Sequence, residues 1–166
     1  FHFDIWGPAA QVLGKELGLG VVQHLLAAMT FPPKPPGSNW RVINWTQRAQ
    51  IATALVIAHV DDGWQGSMRQ RALYSLLYGP TDWTTGAAIV ALGYLARKDP
   101  AIRGEVLQAF QWLQGQIPAE GFCCWEYPLV CTWLTFDGLD AATKERLEKW
   151  QEKVENEEGK SVVRMC

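Results

Sequence analysis

No stretch of this 166-residue chain approaches the ~20 consecutive apolar residues that cross a bilayer, so no membrane role is expected. Neither sign of charge dominates. Fifteen basic residues stand against 17 acidic ones, a net charge of −2, and such a chain generates no global field to hold a nucleic acid or an anionic membrane. There is no CxxC pair, and His2, His24 and His59 have no ligand spacing, so a zinc site lacks its tetrahedral set. Nothing at Phe1-His2-Phe3-Asp4 has the basic-then-apolar order of a secretory leader. The first residue is also not Met, which leads us to expect a fragment or a processed piece of a longer polypeptide.

What the chain does contain suits one ordered domain: 48% of its residues are hydrophobic, enough for a continuous core at this length. Nine tryptophans are the compositional oddity. Of the four cysteines, Cys123, Cys124 and Cys131 fall on or beside one expected helix, and Cys166 is the last residue. Cys124 and Cys131 share a helical face but are too far apart along it for a disulfide. The expectation is four reduced thiols in a cytoplasmic protein.

The organising feature is a near-repeat. Asn44-Trp45-Thr46, Asp82-Trp83-Thr84 and Cys124-Trp125-Glu126 each open an apolar run that is followed by a break and a second apolar-periodic segment. A period of about 40 residues with two helices per unit is the pattern of an α-solenoid. We expect units at approximately 1–30, 44–79, 82–115 and 121–155, an extended Pro-rich loop over 31–43 and a frayed tail over 156–166. Within them, residues 1–7 form a capping extension and Pro8 lies in a first helical turn. Helix A of the first clear unit covers about 45–60 with Asn44 as N-cap, and Asp61-Asp62-Gly63 breaks it before helix B at 64–78. In the next unit Asp82 caps a helix reaching Lys98, and Asp99-Pro100 starts the following one. In the last, Pro128 sits in a first turn, Leu129, Val130, Trp133 and Leu134 face inward, and Asp140 caps a mostly charged closing helix at 141–155. The acidic run from Glu152 to Glu158 is expected as a solvated face.

Two segments carry a family resemblance. Ala91-Leu92-Gly93-Tyr94-Leu95, with its small and aliphatic side chains, and the turn Asp99-Pro100-Ala101-Ile102-Arg103 are similar to a HEAT repeat. The resemblance extends over 44–155 and is poor over 8–30. It implies an all-α, right-handed α-solenoid of antiparallel helix pairs, about eight helices in all, and a role in protein–protein scaffolding by analogy.

Candidate chemistry is thin. Asp61-Asp62-Gly63-Trp64-Gln65 is similar to the aspartate-rich metal motifs of prenyl-chain enzymes, but Trp64 and Gln65 occupy the positions where further carboxylates are needed, so a turn and helix cap is expected instead. His59 lies near Asp61 and Asp62 as a general base lies near its orienter, yet no nucleophile is placed beside them, and a packing or surface role is expected. Trp45, Trp83 and Trp125 form a ladder along one edge that either grips a ligand or, as equal spacing favours, staples each helix A to its neighbour.

The function these features imply is a non-enzymatic helical-repeat scaffold that binds a protein or peptide on its B helices. Its binding residues would be Arg69, Arg103, Gln108 and Gln111, with Trp45, Trp83 and Trp125 as further candidates. No catalytic residue, metal or cofactor is expected, and no membrane or nucleic acid. The alternative, from the same resemblance, is a DNA-binding enzyme like the alkylpurine DNA glycosylases, HEAT-like proteins that use Trp and Asp on a concave face. Against it stands the want of a basic stripe for phosphate contacts.

Overall fold

The computed structural model describes residues 3–35, 37, 41–80 and 82–116, together with residues 130–131, 134–135, 141–142, 144–145 and 149. Among the described residues six α-helices are delimited: α1 (Phe3–Leu17), α2 (Val22–Thr30), α3 (Val42–Ile57), α4 (Met68–Leu77), α5 (Trp83–Lys98) and α6 (Pro100–Gln116). A short 3-10 turn, Leu19–Val21, joins the first two, and there is no strand among the described residues.

α5 is the centre. Twelve consecutive residues, Thr85 to Ala96, are buried, so this helix is enclosed on every side rather than amphipathic. Its composition explains how. Gly86, Ala87, Ala88, Ala91, Gly93 and Ala96 project little or nothing, and neighbouring helices approach closely around it. It packs against α3, α4 and α6, while α3 packs in turn against α1 and α2. A Cβ on Gly93 would collide with Val130, which is fully buried, so the helical segment at 130–131 also lies against α5. On the far side, a Cβ on Gly14 of α1 would come within 2.7 Å of the Val56 carbonyl and the His59 Cβ, which makes that glycine the condition for α1 to sit on α3. Val130 and Leu134 face inward as expected, and residues 141–142, 144–145 and 149 are helical. The exposed Lys149–Glu145 pair, 2.7 Å, links one turn of that segment.

The helix ends show where local chemistry decides. Asp82 caps α5, its Oδ1 accepting from Thr84 N at 2.8 Å and Thr84 Oγ1 at 2.6 Å. Asp99 accepts from Ala101 N at 3.0 Å at the start of α6. Two expectations for α3 and α4 are corrected. α3 begins at Val42, with Arg41 at the N-cap position, so Asn44 lies inside the helix and does not cap it. α4 begins at Met68, after a tight loop in which Gly63 and Gly66 take φ of +75° and +71°, conformations that suit glycine. Ser67 caps α4 by accepting from Gln70 N, and Asp61 reaches across to accept from Met68 N at 2.7 Å. The N-terminus differs as well. Residues 3–7 are helical rather than a separate extension, and Pro8 sits inside α1, where it removes one backbone bond without ending the helix.

No single described helix is long and apolar enough to cross a membrane. Trp6–Leu17 and Leu19–Thr30 together have the length and composition, but they bend by 94°.

Candidate functional site

Among the described residues a polar cluster joins α4, α6 and the loop between α3 and α4, and a carboxylate lies at its centre. Glu105 of α6 accepts four hydrogen bonds, two on each oxygen. Oε1 receives Tyr74 Oη at 2.8 Å and Gln70 Nε2 at 3.0 Å, both from α4. Oε2 receives Trp64 Nε1 at 2.9 Å and Gln65 Nε2 at 3.1 Å, both from the loop. The loop is brought there by its own chemistry. Gln70 uses its other amide atom to accept from Gly66 N at 2.7 Å, Ser67 donates to the Trp64 carbonyl, and the indole of Trp64 is driven down to 8% exposure.

Four rings extend from this carboxylate in sequence. Trp64 meets Tyr74 edge-on at 5.9 Å, Tyr74 stacks on Tyr78 at 5.7 Å with planes 14° apart, and Tyr78 meets Trp112 at 5.0 Å and 88°. The spacing produces this order. Tyr78, at the C-cap of α4, is one helical turn beyond Tyr74, and Glu105 and Trp112 are two turns apart on α6, so both pairs share a face. Burial increases toward the carboxylate: Trp64 is enclosed, whereas Tyr78 is 48% and Trp112 54% exposed. The two outer rings therefore make a right-angled corner open to solvent.

The electrostatics follow from the contacts. Burial would raise the Glu105 pKa, but the hydrogen bonds from Tyr74, Trp64, Gln70 and Gln65 outweigh it and hold the group below its usual value. Tyr74 is pushed far up, first by burial and then by its bond to Glu105. Tyr78 is raised by burial and by the Glu105 charge, so that charge is felt at the corner. All four donors are neutral, and among the described residues no cationic side chain pairs with Glu105. With both oxygens fully engaged, the carboxylate is unsuited to abstract a proton. It organises the surrounding side chains and leaves a negative charge behind them.

The residues singled out from the sequence scatter. Gln108 and Gln111 are exposed on α6, and Gln108 lies between Glu105 and Trp112 on the same face. Arg69 and Arg103 are not the open side chains expected. Arg69 donates to Ala58 O at 3.1 Å and to Gly63 O, and lies 3.8 Å from Asp61, so it closes the α3–α4 loop. Arg103 donates to Ala96 O at 3.3 Å, satisfying a carbonyl at the end of α5. Both guanidiniums were expected outside because the stripe of each helix leaves them there. The helix ends beside them supply acceptors that the stripe does not reveal.

The tryptophans are likewise unequal. Trp45 is half-buried and donates to Pro33 O at 2.6 Å, tying down the Pro-rich loop. Trp83 is 44% exposed, against the expectation that a central staple is largely buried, because the enclosed part of α5 begins only at Thr85. Trp125, like Cys123, Cys124 and Cys166, lies outside the described residues. Cys131 is half-buried.

Asp61 caps α4 and makes no metal motif, and among the described residues no three His, Cys, Asp or Glu side chains cluster as ligands would. His59 packs edge-on to Tyr94 at 6.0 Å, and burial, reinforced by the charges of Arg69 and Lys15, lowers its pKa to about 4. It does not hydrogen-bond Asp61, whose Oδ2 accepts from Met68 N and whose Oδ1 accepts from Arg69 N, so the two form no base and orienter. Hollows also occur among the described residues. One of about 310 Å³ is apolar, between α1 and α3 under Trp6 and Leu13, and one of about 240 Å³ is bounded by Gln50, Ser75, Asp82 and Thr84. The Asp82 carboxylate in the second is already engaged as the cap of α5.

Comparison with models of protein families, with curated proteins and with solved structures finds no match.

Proposed function

We propose that this protein is a HEAT-like helical-repeat scaffold, a right-handed solenoid of helix pairs, that binds a protein or peptide partner on the face formed by α4 and α6. One observation carries the reading: two large aromatic side chains, Tyr78 and Trp112, are exposed yet held against each other in a fixed geometry. Large rigid rings lose little conformational freedom on binding and dominate the energetics of protein interfaces. They are held from behind by Tyr74 and ultimately by Glu105, so the corner is organised before a partner arrives. Gln108 and Gln111 flank Trp112 and supply polar groups for a rim.

The packing is compatible with a solenoid. α1 lies on α3, α3 on α5, and α5 on the segment at Val130, a succession of first helices that supports the reading, while α4 packs more on α5 than on α3. The DNA-binding alternative is weakened by the engagement of Arg69 and Arg103 with backbone carbonyls, which leaves them poor phosphate ligands. The test is site-specific photo-crosslinking from the full chain. A crosslinker at Gln111 should capture a discrete protein species that one at Lys34, in the Pro-rich loop, does not. Equal capture at both positions, or none at Gln111, contradicts the assignment of this face.

A further inference from the structure

The α4–α6 face combines two features that together select a ligand chemistry. The first is the open corner of Tyr78 and Trp112, two ring systems set at 88° with centroids 5.0 Å apart. A cation seated in the open angle of perpendicular rings lies against the negative ring face left exposed there, and Trp is the strongest such partner. The second is Glu105, an ionised carboxylate whose four donors are all neutral. Hydrogen bonds from neutral groups solvate a charge without cancelling it. Arg71, the exposed basic residue on the neighbouring helix, makes no ion pair with it. The face thus holds a negative charge behind an aromatic corner, and no cationic side chain among the described residues pairs with it, although the exposed Arg71 lies on the same stripe of α4 as Tyr74.

Resting on the scaffold reading above, we propose that the partner presents an arginine, whose guanidinium seats in the corner of Tyr78 and Trp112 under the field of Glu105. Arginine fits better than lysine for a reason found in the site. Both Glu105 oxygens already take two donors, so the carboxylate offers no vacant acceptor that would replace the hydration of an ammonium. A guanidinium is planar and more weakly hydrated, and it stacks on aromatic faces without needing an acceptor at each N–H. The attraction is then a cation–π contact strengthened by a nearby anion, and it falls with salt as an exposed charge interaction does.

The probe is the tripeptide acetyl-Gly-Arg-Gly-amide, titrated into the full chain with ¹⁵N-labelled tryptophan, with the citrulline counterpart as the neutral isostere. The Trp112 indole N–H should shift saturably with the arginine peptide, and the citrulline peptide should bind about fivefold more weakly or worse, the loss of one cation–π contact. Tyr78→Ala, at an exposed position that leaves the reporter in place, should abolish the saturable Trp112 shift with little change in melting temperature. Glu105→Gln should weaken binding severalfold. Because that variant also disturbs four hydrogen bonds, the salt dependence of the unmodified protein gives an independent check, and affinity should fall between 50 mM and 500 mM NaCl. Equal affinity for both peptides, an affinity indifferent to salt, or no saturable Trp112 shift overturns the proposal. The scaffold reading has a separate outcome. If a crosslinked partner is lost on Trp112→Ala but binds undiminished when its arginines are replaced, the docking face stands and the arginine assignment falls.

Discussion

The two helix pairs at the heart of the molecule, α3–α4 and α5–α6, begin alike and end differently. Each opens with a tryptophan near the start of its first helix, and each places an arginine early in its second. In α5–α6 the connection is immediate: Asp99 caps α6 one residue after α5 ends. In α3–α4 ten residues intervene, and they fold into a loop held by Asp61, Arg69 and two left-handed glycines. That longer connection delivers Trp64 and Gln65 to Glu105 of the next pair. The two pairs are therefore alike in their helices, and the Glu105 cluster arises where their connections differ. An equal spacing of residues guarantees an equal place along the chain and nothing more.

The largest effect that tests this contrast is on stability. Trp64→Ala removes an enclosed indole that also donates to Glu105, and large-to-small changes of this kind cost about 3–5 kcal/mol. Trp83→Ala removes a half-exposed ring with no comparable cavity, so its cost should be about 1–2 kcal/mol. Chemical denaturation of the two variants in parallel ranks them. Should Trp83→Ala prove the more damaging, the staple along the repeat would be restored and the loop demoted.

How much of this was legible beforehand differs from element to element. The helices of α5 and α6 were readable to within a residue or two, because apolar periodicity, an aspartate cap and an Asp-Pro start agree there. The start of α3 is not legible, since Asn44 has the chemistry of a cap, while the helix extends back to Val42 with Arg41 in the cap position and no side-chain bond to mark it. The Glu105 cluster leaves no local mark in the sequence. Glu105 reads as one more polar residue on the outer face of α6, and its partners lie 31 to 41 residues away, beyond any local pattern. One signal was available. Gln70, Tyr74 and Tyr78 recur at four-residue spacing on the outer face of α4, and Glu105, Gln108 and Trp112 make a matching stripe on α6. Polar and aromatic residues sharing an outer stripe on two consecutive second helices point to a face with a role.

A smaller effect sharpens the contrast at the other end of the α3–α4 loop. His59 is neutral in the fold with a pKa of about 4, against 6.5 when unfolded. A histidine with a lowered folded value contributes stability that is complete above pH 6.5 and is lost as pH falls toward 4. The ring is only partly buried, so the expected loss is on the order of 1 kcal/mol. Melting temperatures from pH 7 to 4.5 should decline less in His59→Gln than in the unmodified protein. An identical decline in both would assign the pH dependence to other groups.

The most direct measurement concerns whether the exposed corner is a site or merely part of the architecture. The double variant Tyr78→Ala, Trp112→Ala should be followed by thermal unfolding and, in parallel, by crosslinking from Gln111. We expect a melting temperature within a few degrees of the unmodified protein, since both rings are half-exposed, together with loss of the captured partner. A variant that unfolds far earlier would mark the corner as part of the core. A variant that stays folded and still captures the same partner would contradict the account.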